Sequence, residues 1–141
     1  MRIYQALYKY LQTVTAVTDI VGTRVYDIHS DQGRGTTFPA VVIEVIDSAP
    51  FHSIGNSAPT ATRRPVAFCC MAQGNNKAAE DLADAVYAAV INNAAAITAA
   101  AGSLTVKSTH LNSRRNEYED DLETSAKLYS VILEFDIIHD L

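Results

Sequence analysis

Apolar residues recur along this chain with two different periods, and the places where one period gives way to the other outline the fold. Ile3, Ala6, Leu7, Tyr10 and Leu11 are spaced by threes and fours, with Gln5, Lys9 and Gln12 opposite them, which predicts an amphipathic helix over residues 3–13. The β-branched run Thr13–Val21 predicts a short irregular turn or a second helix, stopped by Gly22, since glycine accepts the left-handed conformation of a helix end. Arg24–Ile28 reads as a short strand, and His29–Phe38, with Asp31, Gly33, Gly35 and two threonines, has loop composition. Pro39 opens a strand through Asp47, proline being tolerated at a first strand position. In it Val41, Ile43 and Val45 share one face, expected to be core, and Val42, Glu44 and Ile46 share the other. Ser48–Thr62 shows no sustained period, and at about 15 residues it is long for a connection in a compact domain.

Strand character returns over Arg63–Ala72, with Val66, Phe68 and Cys70 on one face. Asn75 or Asn76 then caps a helix reaching about Asn92, whose apolar stripe is Ala79, Leu82, Ala83, Val86, Tyr87 and Val90. Glu80, Asp81 and Asp84 lie near its start, where the helix dipole favours negative charge. Alanine-rich Ala94–Ala101 extends the helix after a break or forms a plain turn, with Gly102 as the stop. Leu104–Leu111 alternates as a half-buried strand, and Ser113–Thr124 reads as a charged stretch between strands. Ala126–His139 alternates cleanly: Tyr129, Val131, Leu133, Phe135 and Ile137 face one way, while Ser130, Glu134 and Asp136 share the other face with Ile132 and Ile138. The order helix, strands, helix, strands predicts an α+β fold, a single domain spanning 1–141 in which a mainly antiparallel sheet carries two helices on one face. Leu82, Val86, Val131, Leu133 and Phe135 are its expected core.

Composition narrows the function. With 141 residues, 48% hydrophobic and 19% charged, the chain is apolar enough to fold and too weakly charged for disorder. A domain of this size buries roughly 68 to 70% of its unfolded surface, enough for one core. A net charge of −5 argues against a surface that holds nucleic acid by neutralising phosphates. The N-terminus has no apolar run of the signal-peptide kind, and no stretch approaches the ~20 apolar residues of a membrane helix. Cys69 and Cys70 are adjacent and point to opposite faces of a strand, so they are badly placed to bond each other, which fits a reducing cytoplasm.

The search for chemistry returns little. His29, His52, His110 and His139 lack metal-ligand spacing, and Cys69 and Cys70 have no charged neighbour in sequence to lower a thiol pKa. Gly33-Arg34-Gly35 lacks the third glycine and the helix start of a phosphate loop. Glu117, Glu119, Asp120 and Asp121 do not follow the alternation of a calcium loop, and are read as a solvated or partner-facing charged segment. No catalytic set, cofactor or metal is expected. The faces carrying Glu44, Ile46, Glu134 and Asp136 are neither polar enough for free solvent nor apolar enough for a closed core. They are either a subunit contact or a scatter of exposed apolar residues of the ordinary kind.

Nearly the whole chain resembles the tail completion proteins of long-tailed phages, also called tail terminators or head-to-tail joining proteins. The resemblance starts with Tyr4-Gln5-Ala6-Leu7-Tyr8 to Leu11 and Ile20-Val21-Gly22-Thr23-Arg24-Val25-Tyr26, and continues in Phe38-Pro39-Ala40-Val41-Val42-Ile43. Next come Val66-Ala67-Phe68-Cys69-Cys70-Met71-Ala72 and Ala79-Glu80-Asp81-Leu82-Ala83-Asp84-Ala85-Val86. It ends in Tyr118-Glu119-Asp120-Asp121 and Tyr129-Ser130-Val131-Ile132-Leu133-Glu134-Phe135. The specificity lies in the order and spacing of these segments. The resemblance implies no catalytic residues. It implies a homohexameric ring, assembled in the host cytoplasm and resident in the virion, that caps the tail tube and meets the neck protein of the head. DNA would pass its channel without specific binding, and no membrane is involved. The docking candidates are Ser53, Ile54 and Asn56 in the long loop, Arg63 and Arg64 after it, and Arg114, Arg115, Glu117, Glu119, Asp120 and Asp121 in the charged stretch. A neck connector or tube subunit would share the composition but differ in element order. A small-ligand domain would need convergent polar groups in a pocket, which the sequence does not suggest.

Overall fold

The computed structural model describes residues 2–28, 37–46, 49–51, 61–120 and 127–140. Along the described residues run α1 (Ile3–Thr13), α2 (Thr15–Val21), β1 (Val25–Asp27), β2 (Ala40–Val45), β3 (Ala49–Phe51), β4 (Ala61–Gln73), α3 (Asn76–Val90), α4 (Ala94–Ala101), β5 (Val106–Asp120) and β6 (Lys127–Asp140). The fold is α+β. Four helices, not two, lie among the described residues: the β-branched run folds as α2 and the alanine-rich segment as α4.

Each helix ends where its residues stop it. Gly22 closes α2 at φ 58° and Gly102 closes α4 at φ 81°, a region that costs a residue with a Cβ but not glycine. Asn75 caps α3 by accepting from the Lys77 amide at 2.9 Å. At the other end, Asn93 Nδ2 donates to the carbonyls of Ala88 and Ala89, both at 3.0 Å, and the chain bends by 84° into α4. Thr109 fixes this corner to the sheet, donating to Val90 O at 2.8 Å and accepting from Asn92 N at 3.1 Å. The Tyr10 hydroxyl donates to Ala89 O, tying α1 to the same corner.

The sheet order is β1-β2-β4-β6-β5, with β3 on β4. Only β1 and β2 run parallel among the described pairs; the other pairings are antiparallel. Register places Ile43 opposite Phe68 and Phe68 opposite Leu133, and likewise Val41, Cys70 and Val131 in one row. These side chains enter one cluster with Leu7, Leu11, Val17, Leu82, Val86 and Ile97 from the four helices. The core therefore lies on one face of the sheet. Leu82, Val86, Val131, Leu133 and Phe135 have no exposed surface, as their periodicity predicts.

The extent of β5 is also a correction. The charged stretch from Ser113 is not a connection between strands: β5 continues through it to Asp120, paired with β6 to Lys127. The register of β5 shifts at two places, between Val106 and Ser108 and between Leu111 and Ser113.

Candidate functional site

Side chains alternate across a strand, so the registers that define the core also define the opposite face. One row across that face is Tyr26, Val42, Cys69, Ile132 and Arg115; the next is Glu44, Ala67, Glu134 and Ser113. On one side lies the row Ala40, Met71, Ser130 and Glu117, and on the other Pro65, Asp136 and His110. Ala40, Ala67 and Ile132 are buried, yet none belongs to the cluster that the helices cover. The face has an apolar centre and a charged margin, and among the described residues no helix packs on it.

The margin is wired by ion pairs. Arg115 reaches Glu134 at 3.0 Å and Glu117 at 3.2 Å, and Ser113 Oγ donates to Glu134 at 3.3 Å. Arg63 stands 3.8 Å from Asp136. Hydrogen bonds to Glu134 and then Glu117 raise the pKa of Arg115. Solvent screens pairs this exposed, so they arrange charge more than they hold the fold. Glu44 and Glu134 flank Ala67 two strands apart, about 10 Å by strand spacing. Burial, and then the charge of Glu44, push the Cys69 thiol up to about 11, against the opposing pull of Arg115. At neutral pH Cys69 is a protonated thiol and a poor nucleophile. Burial drives Cys70 still higher. Among the described residues no group of three His, Cys, Asp or Glu is placed to hold a metal ion.

The docking candidates separate by face. Glu44, Glu134 and Asp136 lie half-buried on the open face, and Ile46, 40% exposed, follows β2 on the same side. Arg63, Arg115 and Glu117 join them. Arg64 turns to the helix side at the end of β4. Arg114 also faces the helices, where it pairs with Asp84 of α3 at 2.7 Å, and its neighbour Asn116 donates to Glu80 at 3.1 Å. Glu119 and Asp120 occupy the last two positions of β5. Ser53, Ile54, Asn56 and Asp121 lie outside the described residues, as do His29, His52 and Gly33-Arg34-Gly35. Sequence reasoning did not connect Tyr26, Cys69 and Ser113 with this face. Their only signal is the parity of the strands, which for β5 is hidden by the extra residue Asn112.

Comparison with known proteins gives a consistent picture. The family described as "Tail completion protein gp17" matches residues 5–140. No curated protein matches. Among solved structures, a chain of the virion of a native gene transfer agent particle is similar in fold, with a TM-score of 0.57 at 11% identity, covering 96% of this chain and 94% of that one.

Proposed function

The chain belongs to the tail completion protein family, and from that premise we propose that it is a virion tail protein that closes into a homohexameric ring, caps the tail tube and joins it to the neck of the head. The observation that supports the reading is the sheet face turned away from the helices: half-buried Val42 and Cys69 beside buried Ala67 and Ile132, rimmed by Arg63, Arg115, Glu117 and three further acids, with none of the four apolar residues in the helix-side cluster. An apolar centre with a polar rim is the usual anatomy of a protein interface. In a ring each copy meets its neighbour through the same pair of surfaces, and closure follows when each contact turns by the same angle. The net charge of −5 suits a channel that DNA passes without adhesion. The long loop with Ser53, Ile54 and Asn56 is proposed for axial contact with the tube or neck.

Val42→Arg tests the reading, because it puts a charge in the centre of the open face without touching the core. Expected are a folded subunit with unchanged secondary structure, no ring by light scattering, and overlong tails or separate heads and tails by electron microscopy. Normal particles from this variant would remove the sheet face as the ring contact.

A further inference from the structure

Two surfaces of the monomer carry opposite charge. The open sheet face sets Glu44, Glu117, Glu134 and Asp136 against Arg63 and Arg115, four acids to two arginines and so an excess of negative charge. Helix α1 packs into the core on the other side of the sheet, its exposed stripe is Arg2, Gln5 and Lys9, and no acid occurs from Arg2 to Thr13. Beside that stripe lies a recess of about 350 Å³, lined among the described residues by Tyr4, Gln5, Tyr8 and Lys9. We propose, resting on the ring assembly put forward for this chain, that each copy seats its open sheet face on the α1 surface of the next, with Ile46 entering the tyrosine recess and Glu44 meeting Lys9.

The two surfaces match in shape and in charge. Ile46 is 40% exposed, and with Tyr118 it is the large apolar side chain that the described residues leave to water. Its amide donates to Pro65 O at 2.9 Å, which carries the pairing of β2 with β4 past Val45 and keeps Ile46 on the side of Val42 and Glu44. The recess offers two half-buried rings, Tyr4 and Tyr8, tilted with centroids 6.1 Å apart, and tyrosine gives large contact area at little conformational cost. Lys9 and Glu44 form no ion pair among the described residues. Glu44 is half-buried next to the apolar centre, and covering such a carboxylate is costly unless an opposite charge meets it. Along the strand Glu44 and Ile46 stand about 7 Å apart on one side, while Lys9 directly follows Tyr8, so one approach satisfies both contacts. Asp27, the acid beside Tyr4, is already engaged within the fold.

A second copy is the occupant that the charges select. Two open faces set against each other would oppose like charge, whereas α1 presents the complement. Each copy owns both surfaces, on different sides of the sheet, so the contact repeats head to tail, as a closed ring requires.

The test is ring assembly of the full chain, followed by light scattering, for the wild type, Lys9→Glu, Glu44→Lys and the double variant. Each single reversal is expected to raise the concentration needed for assembly about tenfold or more, and the double variant to recover most of the loss. Wild-type rings built from equal parts of isotope-labelled and unlabelled chain should also yield, on carbodiimide treatment, a Lys9–Glu44 amide that joins a labelled peptide to an unlabelled one. That measurement needs no substitution, so it decides the matter should Glu44→Lys disturb the sheet. Rings that form normally in both single variants, or losses that the double variant does not repair, overturn the proposal when no such amide is found. If Val42→Arg still abolishes those rings, the open face remains the ring contact and meets a different surface of its neighbour. Rings indifferent to Val42→Arg as well remove the open face and this pairing together.

Discussion

Phe135 has no exposed surface; Phe68 meets its ring edge-on at 5.8 Å, and Tyr87 of α3 lies 6.4 Å away. Truncation to alanine removes the contact between β4, β6 and α3 at one point, and Phe135→Ala is expected to cost about 3–5 kcal/mol in urea unfolding. The buried cysteines make stability depend on alkaline pH. Both folded thiols titrate above the ordinary 9.0, whereas those of the unfolded chain ionise near it. Above that value the unfolded state has lost protons that the folded state keeps, so stability is fully present below pH 9 and falls as pH rises. Tyr4 and Tyr10, both raised by burial from 10.0, add to the fall only at higher pH. Urea unfolding between pH 9 and 10 should therefore show a decline that is shallower in Cys70→Ala. At this scale the core was legible, because a residue such as Leu133 or Val86 announces its burial by the period it belongs to. Arg64 and His139 were not: nothing in their neighbours shows that two strand ends converge on the start of α1.

At the scale of elements, β5 is the instructive case. Its first half alternates apolar and polar residues against the core, and the period reveals it. From Arg114 to Asp120 both faces are polar, one paired with α3 and the other on the open face, so no apolar period remains. Its pairing with β6 carries the strand onward, a non-local cause that its own residues do not display. Helix α2 was half-legible for a related reason, since β-branched Thr15, Val17, Thr18, Ile20 and Val21 favour extended backbone until Val17 and Val21 find the core. The contact of β5 with α3 is exposed, and a double-mutant cycle on Arg114→Ala and Asp84→Ala should give a coupling of about 0.2–1 kcal/mol. A coupling near zero would mean that the pair adds nothing to the seating of the strand.

At the scale of the molecule, the two faces of one sheet have different tasks, and adjacent arginines report on them separately. Arg115→Glu reverses charge beside Glu134 and Glu117 on the open face, while Arg114→Glu disturbs only the contact with α3. On the proposed assembly, the first should weaken ring formation and make it more sensitive to salt, and the second should leave it unchanged. Equal effects in light scattering across a salt series would dissociate assembly from the open face. The fold class and the mixed character of this face were readable from alternation; its continuity across five strands was not, because it depends on register. The two register shifts in β5 have a consequence of their own. An outermost strand is a template for another chain, and unbroken templates seed fibrils. Near Lys107 and Asn112 the backbone steps out of line, and beyond them Arg114, Arg115 and Glu117 crowd the margin with charge. Crowded copies of such a chain are kept from zipping edge to edge into amyloid, and remain available for contacts that terminate.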